Sequence, residues 1–446
     1  VANQRHRQRS VLRSPELIPN PERLDTGIRP RRIYVNTKPT ALAVVGALCL
    51  VSTSALADQI TIDQALARAS QRPSVRLAAL DVDIARANAR GAALPLANPE
   101  LTIVGGPQLG GNSLAFEVQI GLAQTFERGG KRSARTRVAD ADAHTTDMVR
   151  GRELLAARVE VWRAFEQALV ARDRVATRRE VEQLATALAT AMQQTARAGG
   201  TTTLRVNVLV ADAGRARQER LAAESELATA LAHLSTAIGA RPGEILDPAG
   251  ALDDLRATPP SVEDVVAITL RAHPEVAIGD AELAAARARI DSADARGAVD
   301  VTLGLGYAYA PDPDGAHAIL GTIAIPLAVR NRNQGERAVA RIGVHRAEVE
   351  RQYERDELER RVRLAYENYR RAREAVAGFD STVTDRLNEN LKAAQEAFTK
   401  GGLDFVELTT TQRELIAGRV AFLAARATAI DAWAELAQAS GSEVRP

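Results

Sequence analysis

The chain is written twice. Gly199, Gly200 and Gly239 return as Gly401, Gly402 and Gly441 at a constant offset of 202 residues, with Leu231 matched by Trp433 and Leu234 by Leu436, and the match needs no gap. The unit openings correspond too: I-T-I-D-Q-A-L-A-R-A-S-Q-R-P from Ile60 to Pro73 parallels S-V-E-D-V-V-A-I-T-L-R-A-H-P from Ser261 to Pro274. An internal copy of this size restricts the fold to two equivalent halves carrying the same elements in the same order. Between them, R-P-G-E-I-L-D-P-A-G and the later Pro259-Pro260 read as a linker, and Ser261 is a good N-cap for the second unit's first helix.

Inside each unit the hydrophobic period changes from helical to alternating and back. Leu114, Phe116, Val118, Ile120 and Leu122 interleave with small or polar residues, as do Val299, Val301, Leu303, Leu305, Tyr307 and Tyr309; a period of two is that of a strand with one apolar face. Each strand has a partner across a turn-rich loop, beginning at Gly105 in the first unit and running from Pro311 to His317 in the second. The four strands are expected at about 99–105, 113–126, 299–310 and 317–328. Their length and apolar-out, polar-in alternation are those of a transmembrane β-barrel, although half-buried hairpins of an ordinary α+β domain share the pattern. Two hairpins alone cannot close a barrel.

After each hairpin comes a stretch without Pro and nearly without Gly, Ser133 to Ala198 and Glu336 to Lys400. As continuous helix each would be roughly 100 Å long, more than any compact domain needs. The Gly pairs Gly199-Gly200 and Gly401-Gly402 suit chain reversals. In the return segment Leu408, Leu415, Phe422 and Ala429 recur every seven residues, the spacing of a coiled-coil seam. Trp162, Phe165, Tyr366 and Tyr369 could form a ligand box, but they fit helix packing better.

Ahead of the repeats, residues 1–34 are Arg- and Pro-rich and are expected to be untranslated or disordered. Residues 35–57 read as a signal peptide: Val35-Asn-Thr-Lys38, an apolar run from Ala41 to Val51, and Ala55-Leu56-Ala57 before the expected mature start at Asp58. The apolar run is too short to span a bilayer, and Leu48 before the only cysteine, Cys49, disfavours lipidation. The remaining domains are a first repeat over 58–240, a linker over 241–260 and a second repeat over 261–441. Without residues 1–57 the charge balance is 49 Lys and Arg against 53 Asp and Glu. That mild acidity removes any argument for nucleic-acid binding from net charge.

These features together resemble the outer-membrane factor family of which TolC is the best-known member. Both unit openings look like the family's first helix, and G-L-D-F-V-E-L-T-T-T-Q-R-E-L at 402–415 looks like its tip-to-return-helix motif. The junctions Q-T-F-E-R-G-G-K-R-S-A-R (Gln124 to Arg135) and I-P-L-A-V-R-N-R-N-Q-G-E (Ile325 to Glu336) are most similar to the CzcC-like branch, which serves heavy-metal cation efflux. The resemblance implies a mainly α fold with a transmembrane β-barrel: a homotrimer whose twelve strands close in outer-membrane lipid, continuing as an α-helical tunnel through the periplasm. It also implies docking on a periplasmic adaptor coupled to an inner-membrane pump, with the tip turns at Gly199, Gly200, Gly401 and Gly402 as the docking point. Lys131, Arg132, Arg330 and Arg332 would mark the membrane boundary. Glu407 stands where relatives carry an acidic gate residue, with Asp404 near it and Arg205 opposite in the first unit; Thr410 replaces a second acid of some relatives. An exposed helix-face charge is the equal alternative for Glu407.

No catalytic constellation is present, and no cofactor is expected. The six histidines are scattered and the mature chain has no cysteine, so no sequence-local soft-metal site can be built. A channel for drugs or type I secretion cargo is the alternative within the class. Outside it the alternative is a soluble periplasmic coiled-coil scaffold or adaptor, though no lipoyl-like β domain is visible.

Overall fold

The computed structural model describes residues 58–441 apart from 111–112, 253–254, 256–259, 311–315 and part of 380–404. The expected signal peptide, Gly401 and Asp404 lie outside the described residues. In chain order the elements are β1 (Asp58–Ile60), α1 (Ile62–Ala69), α2 (Pro73–Ala92), β2 (Glu100–Gly110), β3 (Ser113–Phe126), α3 (Lys131–Arg197) and α4 (Thr203–Ile238), then β4 (Leu246–Pro248), α5 (Val262–Ala272), α6 (Pro274–Arg296), β5 (Val301–Ala310), β6 (Ala316–Ala324), α7 (Gln334–Ala377) and α8 (Phe405–Ser440).

The two units start helices in the same way. Thr61 and Gln64 form a capping box on α1, Ser261 caps α5 by accepting from the Asp264 N–H at 3.2 Å, and Pro73 and Pro274 open α2 and α6, where a missing N–H costs nothing. Each strand-to-helix junction ends in a left-handed residue, Gly130 (φ 71°) before α3 and Asn333 (φ 63°) before α7. At the far end the Gly200 N–H donates to Thr195 O (2.9 Å) and the Gly402 N–H to Ala397 O (2.7 Å), the same six-to-one bond in both units.

α3 runs unbroken for 67 residues, roughly 100 Å at the helical rise. Its counterpart does not match it. α7 stops at Ala377 rather than continuing to Lys400, because at Gly378 the ladder tightens: the Phe379 N–H reaches back only to Val376 O (3.0 Å), and the Phe379 ring turns against Phe422. The strands depart from expectation at their ends. β2 continues to Gly110 through Gly105-Gly106-Pro107, whose composition reads as a loop, since β2 is an edge strand that tolerates Pro and the Phe116 ring covers Gly105. β6 ends at Ala324 instead of 328, just before Pro326.

The core sits midway along the long helices, where the short parallel pair β1 and β4 and the capped helices α1 and α5 pack around them. Trp162, Phe165 and Tyr369 are fully buried there beside Leu169, Leu234 and Ile430, and the Tyr369 hydroxyl donates to Leu255 O at 3.3 Å. These aromatics are packing, with no open space for a ligand box. On α8 the seven-residue seam is realised: Leu408, Leu415 and Ala429 are buried.

Candidate functional site

The four long strands form one antiparallel sheet in the order β2-β3-β5-β6, so the hairpins of the two units join at β3 and β5. Register sorts their side chains. The pairs Ile103–Ile120, Leu101–Leu122, Ile120–Tyr307, Leu122–Leu305 and Leu303–Ile323 share one face. The other face holds mainly small and polar residues, Thr102, Gln119, Gly121, Gly304, Gly306 and Thr322 beside Val104 and Leu320, with Thr125 and Thr302 hydroxyls bonded across β3 and β5 at 2.8 Å.

The apolar face is uncovered. Leu101, Ile103, Phe116, Leu305, Ile319 and Ile323 are each at least 60 % exposed. At about 1.5–3 kcal/mol per side chain, six such residues leave on the order of 10 kcal/mol of burial unrealised, as much as the whole stability of an ordinary domain. A face of this kind calls for lipid rather than water. Near the hairpin turns Tyr307, Tyr309 and His317 cluster on it, with the Tyr307 hydroxyl bonded to His317 Nδ1, an interfacial aromatic arrangement. No described helix is long and apolar enough to cross a membrane.

Where the sheet meets the helices, charges are locked in pairs. Lys131 Nζ lies 2.9 Å from Asp300 Oδ2, whose other oxygen accepts from the Arg128 N–H at 3.1 Å. Burial works to raise the Asp300 pKa, but the Lys131 ammonium and the Arg128 N–H outweigh it and hold the carboxyl below its usual range. Arg135 grips Glu127 at 2.7 Å while donating to Ala92 O and Leu94 O, and Arg132 reaches the same carboxylate at 3.6 Å. Arg135 is the main cause of the lowered Glu127 pKa. In the second unit Arg330 is exposed, and Arg332 donates through its N–H to Gln334 Oε1 at 2.8 Å. The positions Lys131, Arg132, Arg330 and Arg332 are thus brought to one level of the molecule, the helix end of the sheet. The Asp300 partner of Lys131 was not legible, because it lies in the other unit, 172 residues from Arg128.

At the opposite end, Gly199 has φ +78° and the turn it makes leads to α4. Glu407 on the first turn of α8 and Arg205 on that of α4 are both exposed, and no hydrogen bond or ion pair joins them among the described residues. Above them lies a clasp that local pattern could not reveal. Arg413 of α8 binds Asp212 of α4 at 2.7 Å, and Arg419 of α8 binds Glu180 of α3 at 2.6 Å.

Residues 61–240, the first unit, match the family model described as outer membrane efflux protein. The cobalt-zinc-cadmium resistance protein CzcC of Cupriavidus metallidurans is 27% identical over 305 residues, covering 67% of this chain and 71% of that one. The likeness to outer membrane efflux proteins thus lies in the first unit by family model and extends over two thirds of the chain in this relative. The fold agrees: CusC superposes with a TM-score of 0.68 at 18% identity over 86% of this chain and 92% of that one. The MtrE outer membrane channel of Neisseria gonorrhoeae, in its open state, gives 0.66 at 18% identity over 86% and 89%. The family model and the solved structures agree on an outer-membrane location.

Proposed function

We propose that this chain is an outer-membrane efflux protein, three copies of which close into a channel whose twelve strands span the outer membrane and whose helices form a periplasmic tunnel. The observation that carries this reading is a missing contact. Inside one chain the repeat supplies a series: α2 packs on α3, α3 on α6 and α6 on α7. The α3–α6 contact joins the two units, with Arg289 on Asp142 at 2.6 Å and Arg137 on Asp291 at 3.3 Å. Its equivalent after the second unit would be α7 against the α2 of a next copy. Both faces stand ready: Val339, Ile342, Val349 and Tyr353 along α7, and Leu77, Leu80 and Ile84 along α2, are all more than half exposed. The sheet repeats the logic, since β2 and β6 are open edges and an open edge in lipid is untenable.

The tip turns at Gly199, Gly200, Gly401 and Gly402 then dock on a periplasmic adaptor coupled to an inner-membrane pump, and residues 35–57 serve as the export signal. Divalent heavy-metal cations are the proposed cargo, supported by the likeness to a cobalt-zinc-cadmium resistance protein. A strain lacking this chain should become sensitive to zinc, cobalt or cadmium salts and stay unchanged toward dyes and antibiotics. The reverse pattern would reassign the cargo to drugs.

At the tip, Glu407 is the proposed gate residue, threefold symmetry making it a ring of carboxylates that holds cations. Replacing it, Glu407→Ala, should weaken divalent-cation block of single channels from the tip side about tenfold. Block equal to wild type would remove the gate.

A further inference from the structure

We infer that Glu117 makes the outer mouth of the barrel selective for cations; this rests on the channel reading above. Four observations meet at this residue. Glu117 stands between Phe116 and Val118 on β3, and register puts it on the small, polar face, opposite Gly106. That face becomes the lumen once the apolar face meets lipid. Second, nothing crowds it: a Cβ on Gly106 would meet no atom within 4 Å, and a hollow of about 230 Å³ opens between Gly106, Glu117 and Gln119. The carboxylate is exposed in that hollow.

Third, among the described residues Glu117 has no hydrogen-bond or ion-pair partner. The contrast with the helix end of the sheet is sharp, where Glu127 and Asp300 are each held by cations. Fourth, the four strands contain no lysine or arginine at all; their acids are Glu100 at the helix end and Glu117 toward the turns. No basic strand residue can neutralise Glu117 from a neighbouring copy either. Three free carboxylates at one level of a lumen otherwise walled by uncharged residues, Gly, Ala, Thr and Gln with Val104 and Leu320, would set its potential, attracting cations and repelling anions.

A decisive experiment reconstitutes the full chain in planar bilayers and adds hexaamminecobalt(III), a trivalent cation, to the side carrying the hairpin turns. Wild-type current should be blocked from that side. Glu117→Gln should raise the blocking concentration about tenfold and Glu117→Lys should abolish block, with block from the tip side unchanged. Retention of the heat-resistant trimer on gels shows that the variants assemble; loss of the trimer in Glu117→Gln would make the residue structural and overturn the proposal. Unaltered block in both variants, or no wild-type block from the turn side, also overturns it while leaving the channel intact. Absence of any wild-type current would instead sink the channel reading, and this inference with it.

Discussion

His273 shows how a single side chain can join the units' parts and report on pH. It ends α5 and begins α6, its Nδ1 accepting from the Glu275 N–H at 3.2 Å, so the proton belongs on Nε2, which donates to Gln438 O at 3.0 Å. Burial is the chief cause that holds its pKa below the usual 6.5; the Gln438 carbonyl and Glu275 carboxylate act against it, and Arg361 of α7 adds to it. The sign follows from linkage. Below about pH 6.5 the unfolded chain takes up a proton that the folded ring refuses, so stability falls as pH drops through that range and is fully kept above it. The melting temperature should therefore drop between pH 7.5 and 5.5, and His273→Asn, which keeps a capping side chain, should flatten part of that drop. An identical slope in the variant would show that other groups cause it. Nothing in the sequence marks this histidine apart from its place before Pro274; the carbonyl that fixes it comes from α8, 165 residues away. The same limit explains the junction: Lys131 and Arg132 were legible as boundary charges, whereas Asp300 became a partner only through folding.

At the scale of elements, period was legible and endings were not. Alternation placed the four strands because side-chain direction in a strand depends on the strand alone. How far β2 runs depends on what lies beside it, an aromatic ring over Gly105 that accompanies its continuation to Gly110, while β6 stops just before Pro326. Likewise the absence of Pro made α3 readable at its full length, while the halt of α7 at Gly378 turns on where Phe379 finds Phe422. The exposed stripe on α7 yields a prediction at this scale. Val349→Asp places a charge where the next copy should pack, and it should weaken each seam by roughly 2 kcal/mol or more. The helical content should stay the same while the heat-resistant trimer band is lost. A persisting trimer in both Val349→Asp and Tyr353→Asp would remove α7 from the seam.

For the whole molecule, the repeat that opens the sequence explains why a single chain is unfinished. Two units bury one junction between them, α3 with α6 and β3 with β5, and leave its equivalent open at both ends. That much could be argued from the sequence once the copies were aligned. The clasp of Arg413 and Arg419 onto Asp212 and Glu180 could not, since it links α8 to α4 and α3 across the two units. In a closed ring of three, the six junctions would thus be of two kinds. Three are tethered by the covalent connection through residues 241–260 and feel a fixed effective concentration; the other three obey mass action. Dilution would separate whole chains and never half-chains, so the concentration at which the ring falls apart measures the untethered junction alone.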